Sequence, residues 1–168
     1  MKVKNSLILI GLFFASIGTA TAGPNNWVVG GEGGWREIFT TNTEGYTLNF
    51  TCDMGAKEGT DDHAAGRMLY LSGGKGDKSI DVSTKWSIES IPSVISLKVG
   101  NDSYDIQNQA TAPARREWYR FWADTVKKSS QKVAVFVDGR KVTIFDLAGI
   151  ASIYKDAPQD GCLKQDTN

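Results

Sequence analysis

The sequence predicts an α+β fold: a mostly antiparallel sheet or β-sandwich, one amphipathic helix and a short C-terminal helix. Two observations carry this prediction. The stretch 132–145 alternates apolar residues on both sides of Asp138-Gly139, a dipeptide typical of tight β-hairpin turns. Between Ala110 and Ser129 the spacing of the apolar residues changes to that of an amphipathic helix. Each element leaves an apolar face that the other can cover, so we expect one core.

The N-terminal residues have the three parts of a secretory signal peptide. Lys2 and Lys4 precede the apolar run 7–14, and small residues end the segment at Ala22. We expect cleavage after Ala22, which leaves 23–168 as a single disulfide-linked domain in the periplasm or outside the cell. The run is shorter than the ~20 residues of a membrane anchor, so we expect no membrane span after cleavage.

The charge balance bears on the class of partner. The chain has 19 basic and 19 acidic residues, and two of the basic ones fall inside the predicted signal peptide. A near-neutral domain lacks the basic surface that binds a phosphate backbone. We therefore expect no nucleic-acid partner.

Cys52 and Cys162 are the two cysteines of the chain. In an oxidising compartment such an isolated pair most simply forms a structural disulfide. Closing so long a loop would stabilise the fold by ~4 to 5 kcal/mol in the chain-entropy picture. The bond would tie the C-terminal tail to an early strand. A redox-active pair is disfavoured, because there is no Cys-x-x-Cys motif.

The first half of the domain contains several strand patterns. One segment, 46–52, alternates so that Tyr46, Leu48, Phe50 and Cys52 share the core face. A turn-forming run separates it from the preceding strand, and a second hairpin is expected to place Val94 or Ile95 in the core. The expected strands are 27–29 at an edge, 35–40, 46–52, 67–72, 94–99 and 104–107, with a turn at 100–103; the stretch 80–88 is ambiguous, with 85–88 as one candidate strand.

The predicted amphipathic helix spans about 112 to 128. Thr111 is a suitable cap, and Pro113 suits the first turn. We expect this helix to lie across the sheet that contains the Asp138-Gly139 hairpin. Its apolar stripe is Trp118, Phe121, Trp122, Thr125 and Val126.

A short second helix is expected at 146–154, with Asp146 as its cap. In the preceding hairpin strand, Val142 and Ile144 are expected to carry the apolar alternation.

The segment 53–66 has no periodicity and is longer than most connections, which makes it the first candidate for a site. His63 is the sole histidine, and it directly follows Asp61 and Asp62, so the three side chains diverge. We therefore expect no zinc site, and the acidic residues, including Glu58, lack the spacing of a calcium loop.

Catalysis is not favoured by the residue pattern. A serine or cysteine nucleophile wants a positioned base, and the chain offers one histidine and two cysteines expected to be paired. A carboxylate pair could serve a hydrolase, but no pair stands out among the scattered acids. We expect no enzyme activity and no cofactor, and keep a carboxylate-dependent hydrolase as an alternative.

Three tryptophans lie outside the helical stripe: Trp27, Trp35 and Trp86. They could form an exposed aromatic platform for a glycan, although burial of Trp35 is the favoured interpretation. On the polar side of the helix, Arg115, Arg116 and Arg120 form either a solvated face or part of a protein interface. Arg116 and Arg120 join Glu58, Asp61, Asp62 and His63 as the candidate partner-binding residues.

The C-terminal quarter resembles the ending of several small exported bacterial proteins. A Trp/Phe-rich helix precedes the strand 132–137, and Phe145-Asp-Leu-Ala-Gly-Ile-Ala-Ser-Ile follows, with Cys162 shortly after. The pattern is similar to that of the invasion-associated locus B family and of TagO-like proteins, in which a Phe-x-Leu-x-Gly strand runs into a short helix and closes near a cysteine. This resemblance implies a β-rich envelope protein that binds other proteins, and it transfers no catalytic residue.

These observations together predict an exported envelope protein that acts by protein–protein binding. It would be an accessory factor, or an inhibitor or immunity protein that inserts the 53–66 loop into a wall-degrading enzyme. A glycan-binding module is the alternative.

Overall fold

The two antiparallel sheets and two α-helices of the computed structural model belong to one α+β fold, which confirms the predicted class. The structure describes residues 24–54, 66–84, 92–107, 111–158 and 162–165. The first sheet has the order β1-β2-β3-β4-β5: β1 Val28–Gly30, β2 Trp35–Thr41, β3 Tyr46–Asp53, β4 Arg67–Gly73 and β5 Ile80–Ser83. The second has the order β7-β6-β8-β9: β6 Ile95–Val99, β7 Asp102–Ile106, β8 Lys132–Val137 and β9 Arg140–Asp146. The helices are α1 Ala112–Thr125, extended by a 3₁₀ turn Val126–Lys128, and α2 Ile150–Asp156; a 3₁₀ turn Gly76–Lys78 precedes β5.

The β8–β9 hairpin has the predicted turn but a different strand face. Asp138 and Gly139 both have positive φ, 47° and 79°, as a type I′ turn requires. A β-bulge follows, because Val135 pairs with Thr143 while the next residue, Phe136, pairs with Lys141. Burial alternates in β9, with Thr143 and Phe145 buried and Val142 packed half-buried against the core, but Ile144 is 39% exposed and does not face inward as expected.

Helix α1 has the predicted start and buries the predicted stripe. The Thr111 hydroxyl accepts a hydrogen bond from the Ala114 amide, and proline occupies the first turn. Four stripe residues are fully or almost fully buried: Trp118, Phe121, Trp122 and Thr125.

An aromatic cluster joins α1 to both sheets. The Phe50 ring on β3 lies 5.2 Å from the Phe121 ring and 4.8 Å from the Trp122 ring, measured between centroids. Phe121 also meets Tyr104 of β7 edge to face at 5.4 Å. The helix thus packs on the sheet that contains the hairpin, as predicted, and on the first sheet as well. A single core draws on both sheets and both helices.

The structure decides two strand positions that the sequence left open. β5 is Ile80–Ser83, within the ambiguous stretch 80–88, and the expected strand at 85–88 lies outside the described residues. In β6, Ile95 is fully buried and Val94 is 40% exposed, so Ile95 is the core residue. Val99 pairs with Asp102, which shortens the expected turn to Gly100-Asn101.

The disulfide between Cys52 and Cys162 is present, with the two Cα atoms 5.5 Å apart. The indole Nε1 of Trp118 donates a hydrogen bond of 2.7 Å to the Cys162 carbonyl, and Leu163 is buried beside it. The C-terminal tail is thereby held against β3 and α1, as the sequence predicted.

The second helix begins later than expected. Its N-cap is Gly149, at φ 88°, where a side chain would strain the backbone. The Asp146 carboxylate instead accepts from the Ala148 amide at 3.1 Å, so Asp146 stabilises the preceding turn and does not cap α2. Within the described ranges, neither helix has the length and apolar character needed to cross a membrane.

Candidate functional site

The segment singled out by the sequence joins two strand ends of the first sheet. The Asp53 amide donates to the Gly66 carbonyl at 2.6 Å, and the Met54 amide donates to the Gly34 carbonyl at 2.8 Å. These bonds fix the points at which the chain leaves β3 and returns to β4. Four candidate partner-binding residues of this segment lie outside the described residues: Glu58, Asp61, Asp62 and His63. Trp86, a candidate for glycan binding, also lies outside them.

One open cleft, of about 610 Å³, lies beside the first turns of α1. We call it the arginine cleft. Its lining is Ala112, Arg115, Arg116, Tyr119, Arg120 and Gln165. These helix positions recur on the side of α1 opposite the buried stripe. Three guanidinium groups and no carboxylate are found among these lining residues, so the cleft favours an anionic ligand.

Arg120 is held rigidly at one border of this cleft. Its guanidinium donates at 2.6 Å to Glu117 and at 2.6 Å to the Ser103 carbonyl, and it lies 4.3 Å from the centre of the Tyr104 ring. The hydrogen bond that Arg120 donates to the Glu117 carboxylate raises the pKa of Arg120. Arg120 therefore anchors α1 to β7, although its side chain, like that of Arg116, is exposed.

Arg67 connects the arginine cleft to the end of the 53–66 segment. It is the first residue of β4, directly after Gly66, and is 3% exposed. Its guanidinium donates to the Tyr119 hydroxyl at 2.5 Å and lies 5.1 Å from the centre of the Tyr119 ring. The point at which the chain re-enters β4 therefore lies next to Tyr119 of the arginine cleft.

A second cleft, of about 400 Å³, lies on the outer face of the first sheet. We call it the sheet cleft. Its lining is Trp35, Glu37, Asn49, Thr51, Met68 and Tyr70. Strand alternation explains this set, since the residues between them point into the core. The antiparallel register places Glu37 opposite Thr51, and Thr51 opposite Met68.

Trp35 is exposed at 37%, so the favoured expectation of its burial is wrong. Burial of the phenol, and secondly the negative charge of Glu37, raise the pKa of Tyr70. The Tyr70 hydroxyl also contacts the Met68 sulfur at 3.2 Å. An indole, a phenol, an amide and a carboxylate thus share one outward surface.

Trp27 does not join Trp35 in a platform. Its indole Nε1 donates to the Asp146 carbonyl at 2.8 Å, and its ring lies 6.1 Å from that of Phe50. Trp27 therefore packs at the border of the core and links β9 to the segment before β1.

A buried polar network, which the sequence did not indicate, joins the two sheets. The Asn42 side-chain amide donates to the Thr143 hydroxyl at 2.7 Å and to the Ile144 carbonyl at 3.0 Å. The Thr143 hydroxyl donates to Glu44 at 2.6 Å. Because these groups bind one another, we interpret the neighbouring polar cleft as structural.

Metal ligands do not converge in the described ranges: no three His, Cys, Asp or Glu side chains there are placed to hold an ion. His63 lies outside those ranges.

A sequence model of the YfjT family matches residues 25–154. The chain belongs to the YfjT family. The match covers every residue of the sheet cleft and all of the arginine cleft except Gln165. No curated protein and no solved structure matches the chain significantly. The resemblance to invasion-associated locus B and TagO-like proteins stays a prediction.

Proposed function

We propose that this YfjT-family protein is exported to the cell envelope and acts by binding another protein, as an accessory factor or as an inhibitor or immunity protein against a wall-degrading enzyme. The observation that carries this proposal is the arginine cleft at the end of the molecule where the 53–66 segment begins and ends. The partner would place an acidic segment in the cleft while the loop enters the partner.

The compartment is supported by two independent features. The disulfide between Cys52 and Cys162 fits an oxidising environment such as the periplasm. The N-terminal residues have the charged, apolar and small-residue parts of a secretory signal.

The kind of partner follows from the chemistry of the cleft. Arginine is enriched at protein interfaces, and its planar guanidinium binds carboxylates through two hydrogen bonds. Arg116 is exposed on the cleft wall, and Arg120 is already fixed by Glu117 and Tyr104. A rigid arginine loses little conformational freedom when an acidic side chain binds.

Binding also accounts for the lining residues better than hydrolysis does. Among the residues that line the two clefts, Glu37 is the single carboxylate, and no histidine or cysteine is found. A carboxylate-dependent hydrolase needs two acids across a cleft. We therefore propose no catalytic step.

The test is a charge reversal in the arginine cleft with a charge-matched control. Affinity capture from an envelope fraction identifies the partner, and titration with the purified partner measures Kd. Arg116→Glu should weaken binding at least ~10-fold, because it replaces attraction by repulsion. Arg140→Glu, at the tip of the β8–β9 hairpin, makes the same charge change elsewhere and should leave Kd unchanged.

Two further results decide the outcome. Wild-type affinity should fall with added salt, and Arg116→Glu should reduce that dependence. Deleting residues 57–64 should abolish binding with little loss of stability. Equal affinity of wild type and Arg116→Glu for the purified partner would overturn the role of the arginine cleft, and unchanged binding after the deletion would overturn that of the loop.

A further inference from the structure

The sheet cleft is separate from the arginine cleft and has a different chemistry. It lies on the outer side of β2, β3 and β4, whereas the arginine cleft lies beside α1. Adjacent residues of β4 divide them: Arg67 bonds to Tyr119 of the arginine cleft, and Met68 lines the sheet cleft. A ligand in one cleft therefore leaves the other accessible.

Trp35 supplies an apolar surface that remains in contact with solvent. Its side chain is 37% exposed at the first position of β2, with Met54, 36% exposed, at the end of the neighbouring strand. The exposed part of the indole is available to a ligand that lies on the outer face of the sheet. It stacks well on a flat, weakly polar surface.

Polar groups surround this indole on paired strands. Asn49 offers both a donor and an acceptor, and the Glu37 carboxylate offers acceptors. The Thr51 hydroxyl donates to the Asn49 side-chain oxygen at 3.4 Å, which holds the amide over the cleft. A ligand hydroxyl can bind either residue, because it can donate a hydrogen bond to the Glu37 carboxylate and both donate to and accept from the Asn49 amide.

The backbone positions of the two aromatic residues favour an elongated ligand. The Cα atoms of Trp35 and Tyr70 lie two strands apart in the sheet, about 10 Å, and four positions apart in register, about 13 Å. A chain of linked rings reaches from one residue to the other more readily than a small cation does.

The charge of the residues that line the sheet cleft indicates the charge of its ligand. Glu37 is the single charged residue lining the sheet cleft. Its carboxylate disfavours phosphate and carboxylate ligands, which would meet repulsion and no cation. An extended, uncharged ligand with apolar faces and many hydroxyls satisfies the indole, the amide and the carboxylate together.

We propose that the sheet cleft binds an uncharged oligosaccharide. A sugar ring stacks on Trp35, and hydroxyls of the same and following rings bind Glu37 and Asn49. Tyr70 contacts the end of the oligosaccharide that lies farthest from Trp35. This site goes beyond the proposed protein-binding function and does not depend on it.

The test uses the full mature chain and three uncharged tetrasaccharides: cellotetraose, maltotetraose and a tetramer of N-acetylglucosamine. Intrinsic tryptophan fluorescence and calorimetry should give saturable binding of at least one of them, with a Kd at or below ~1 mM. The monosaccharide should bind at least ~10-fold more weakly, because it cannot reach both ends of the cleft. Added salt should change the Kd of the tetrasaccharide little, because the ligand is uncharged.

Trp35→Ala should abolish this binding, and Asn49→Ala should weaken it several-fold while leaving the exposed indole in place. Ile144→Ala removes a comparably exposed apolar side chain from β9 of the other sheet and should change nothing. The proposal is overturned if none of the three tetrasaccharides binds, if binding persists in Trp35→Ala, or if tetramethylammonium competes with the sugar. Because Arg116→Glu leaves the sheet cleft intact, its loss of partner binding with retained sugar binding separates the two proposals.

Discussion

The arginine cleft and the sheet cleft are connected to opposite faces of β4, and they have different chemistries. Along β4, Arg67 points toward α1 and Met68 points to the outer face, since successive strand residues alternate between faces. One cleft gathers guanidinium groups, and the other combines an indole, a phenol and a single carboxylate. A single strand can therefore border two surfaces that select different ligands.

The two clefts also differ in what holds them in place. The arginine cleft depends on the first turns of α1 and on the C-terminal tail, which contributes Gln165 and is tied down by Cys162. The sheet cleft depends on the continuous pairing of β2, β3 and β4. A substitution in the tail or at the start of α1 should consequently weaken ligand binding at the arginine cleft and leave binding at the sheet cleft unchanged.

The largest expected effect comes from removing the disulfide. The double variant Cys52→Ala/Cys162→Ala opens a crosslink between residues separated by 110 positions, which should lower the free energy of unfolding by about 4 to 5 kcal/mol. Urea unfolding measures this loss. At temperatures where the variant stays folded, partner binding should weaken because the tail is released, and tetrasaccharide binding should persist.

The pairing of both cysteines gives this experiment its control. Reducing the wild-type bond with a thiol should reproduce the stability of the double variant, and the same reductant should leave the double variant unchanged. A stability loss below about 1 kcal/mol would contradict the stabilising effect expected of the disulfide. An equal loss of affinity at both clefts would contradict the assignment of the tail to the arginine cleft.

A smaller effect is expected at the start of α1. Thr111→Ala removes the hydroxyl that accepts from the Ala114 amide, which should cost about 1 kcal/mol of stability. The first turns carry Ala112, Arg115 and Arg116, so fraying there should weaken partner binding modestly.

Thr111→Ser is the matched control, because serine keeps the capping oxygen and should restore both stability and affinity. Sugar binding should be the same in all three proteins. A change in sugar affinity in Thr111→Ala would break the proposed independence of the two clefts.

Local chemistry made several elements predictable from the sequence. The Asp138-Gly139 turn and the Thr111 cap are each decided by a few neighbouring residues, and both are confirmed. The arginines on the polar side of α1 follow from helical spacing alone. The cleft they border could not be predicted from helical spacing, because Gln165 lies on a tail that is held there by contacts distant in sequence, among them the disulfide.

The features that the sequence did not predict depend on contacts between residues that are distant in sequence. The alternation in β9 reverses at the bulge, so that Thr143 faces inward to bind Asn42 and Glu44, about 100 positions earlier. No local pattern in β9 specifies that network.

For Trp35 the strand parity was ambiguous. Ile38 and Phe39 are adjacent apolar residues of β2, and an inward Ile38 places Trp35 on the outer face whereas an inward Phe39 would place it in the core. The structure buries Ile38 completely, which decides between the two. The favoured interpretation followed hydrophobicity alone and was wrong.

The smallest predicted effect tests the geometry of the sheet cleft directly. Burial and the nearby Glu37 carboxylate raise the pKa of the Tyr70 phenol above its ordinary value of 10.0. With a raised pKa in the folded state, the phenol's contribution to stability is present below pH 10 and is lost as the pH rises through the folded-state pKa. Glu37→Gln should lower the pKa of Tyr70 toward 10.0 without restoring it fully, since burial is the larger cause.

Tyrosinate absorbance, compared between each protein and its Tyr70→Phe derivative, isolates this phenol from the other tyrosines. An unchanged Tyr70 titration in Glu37→Gln would mean that the carboxylate does not face the phenol, and the outer face would then lose the acceptor that we assign to the sugar.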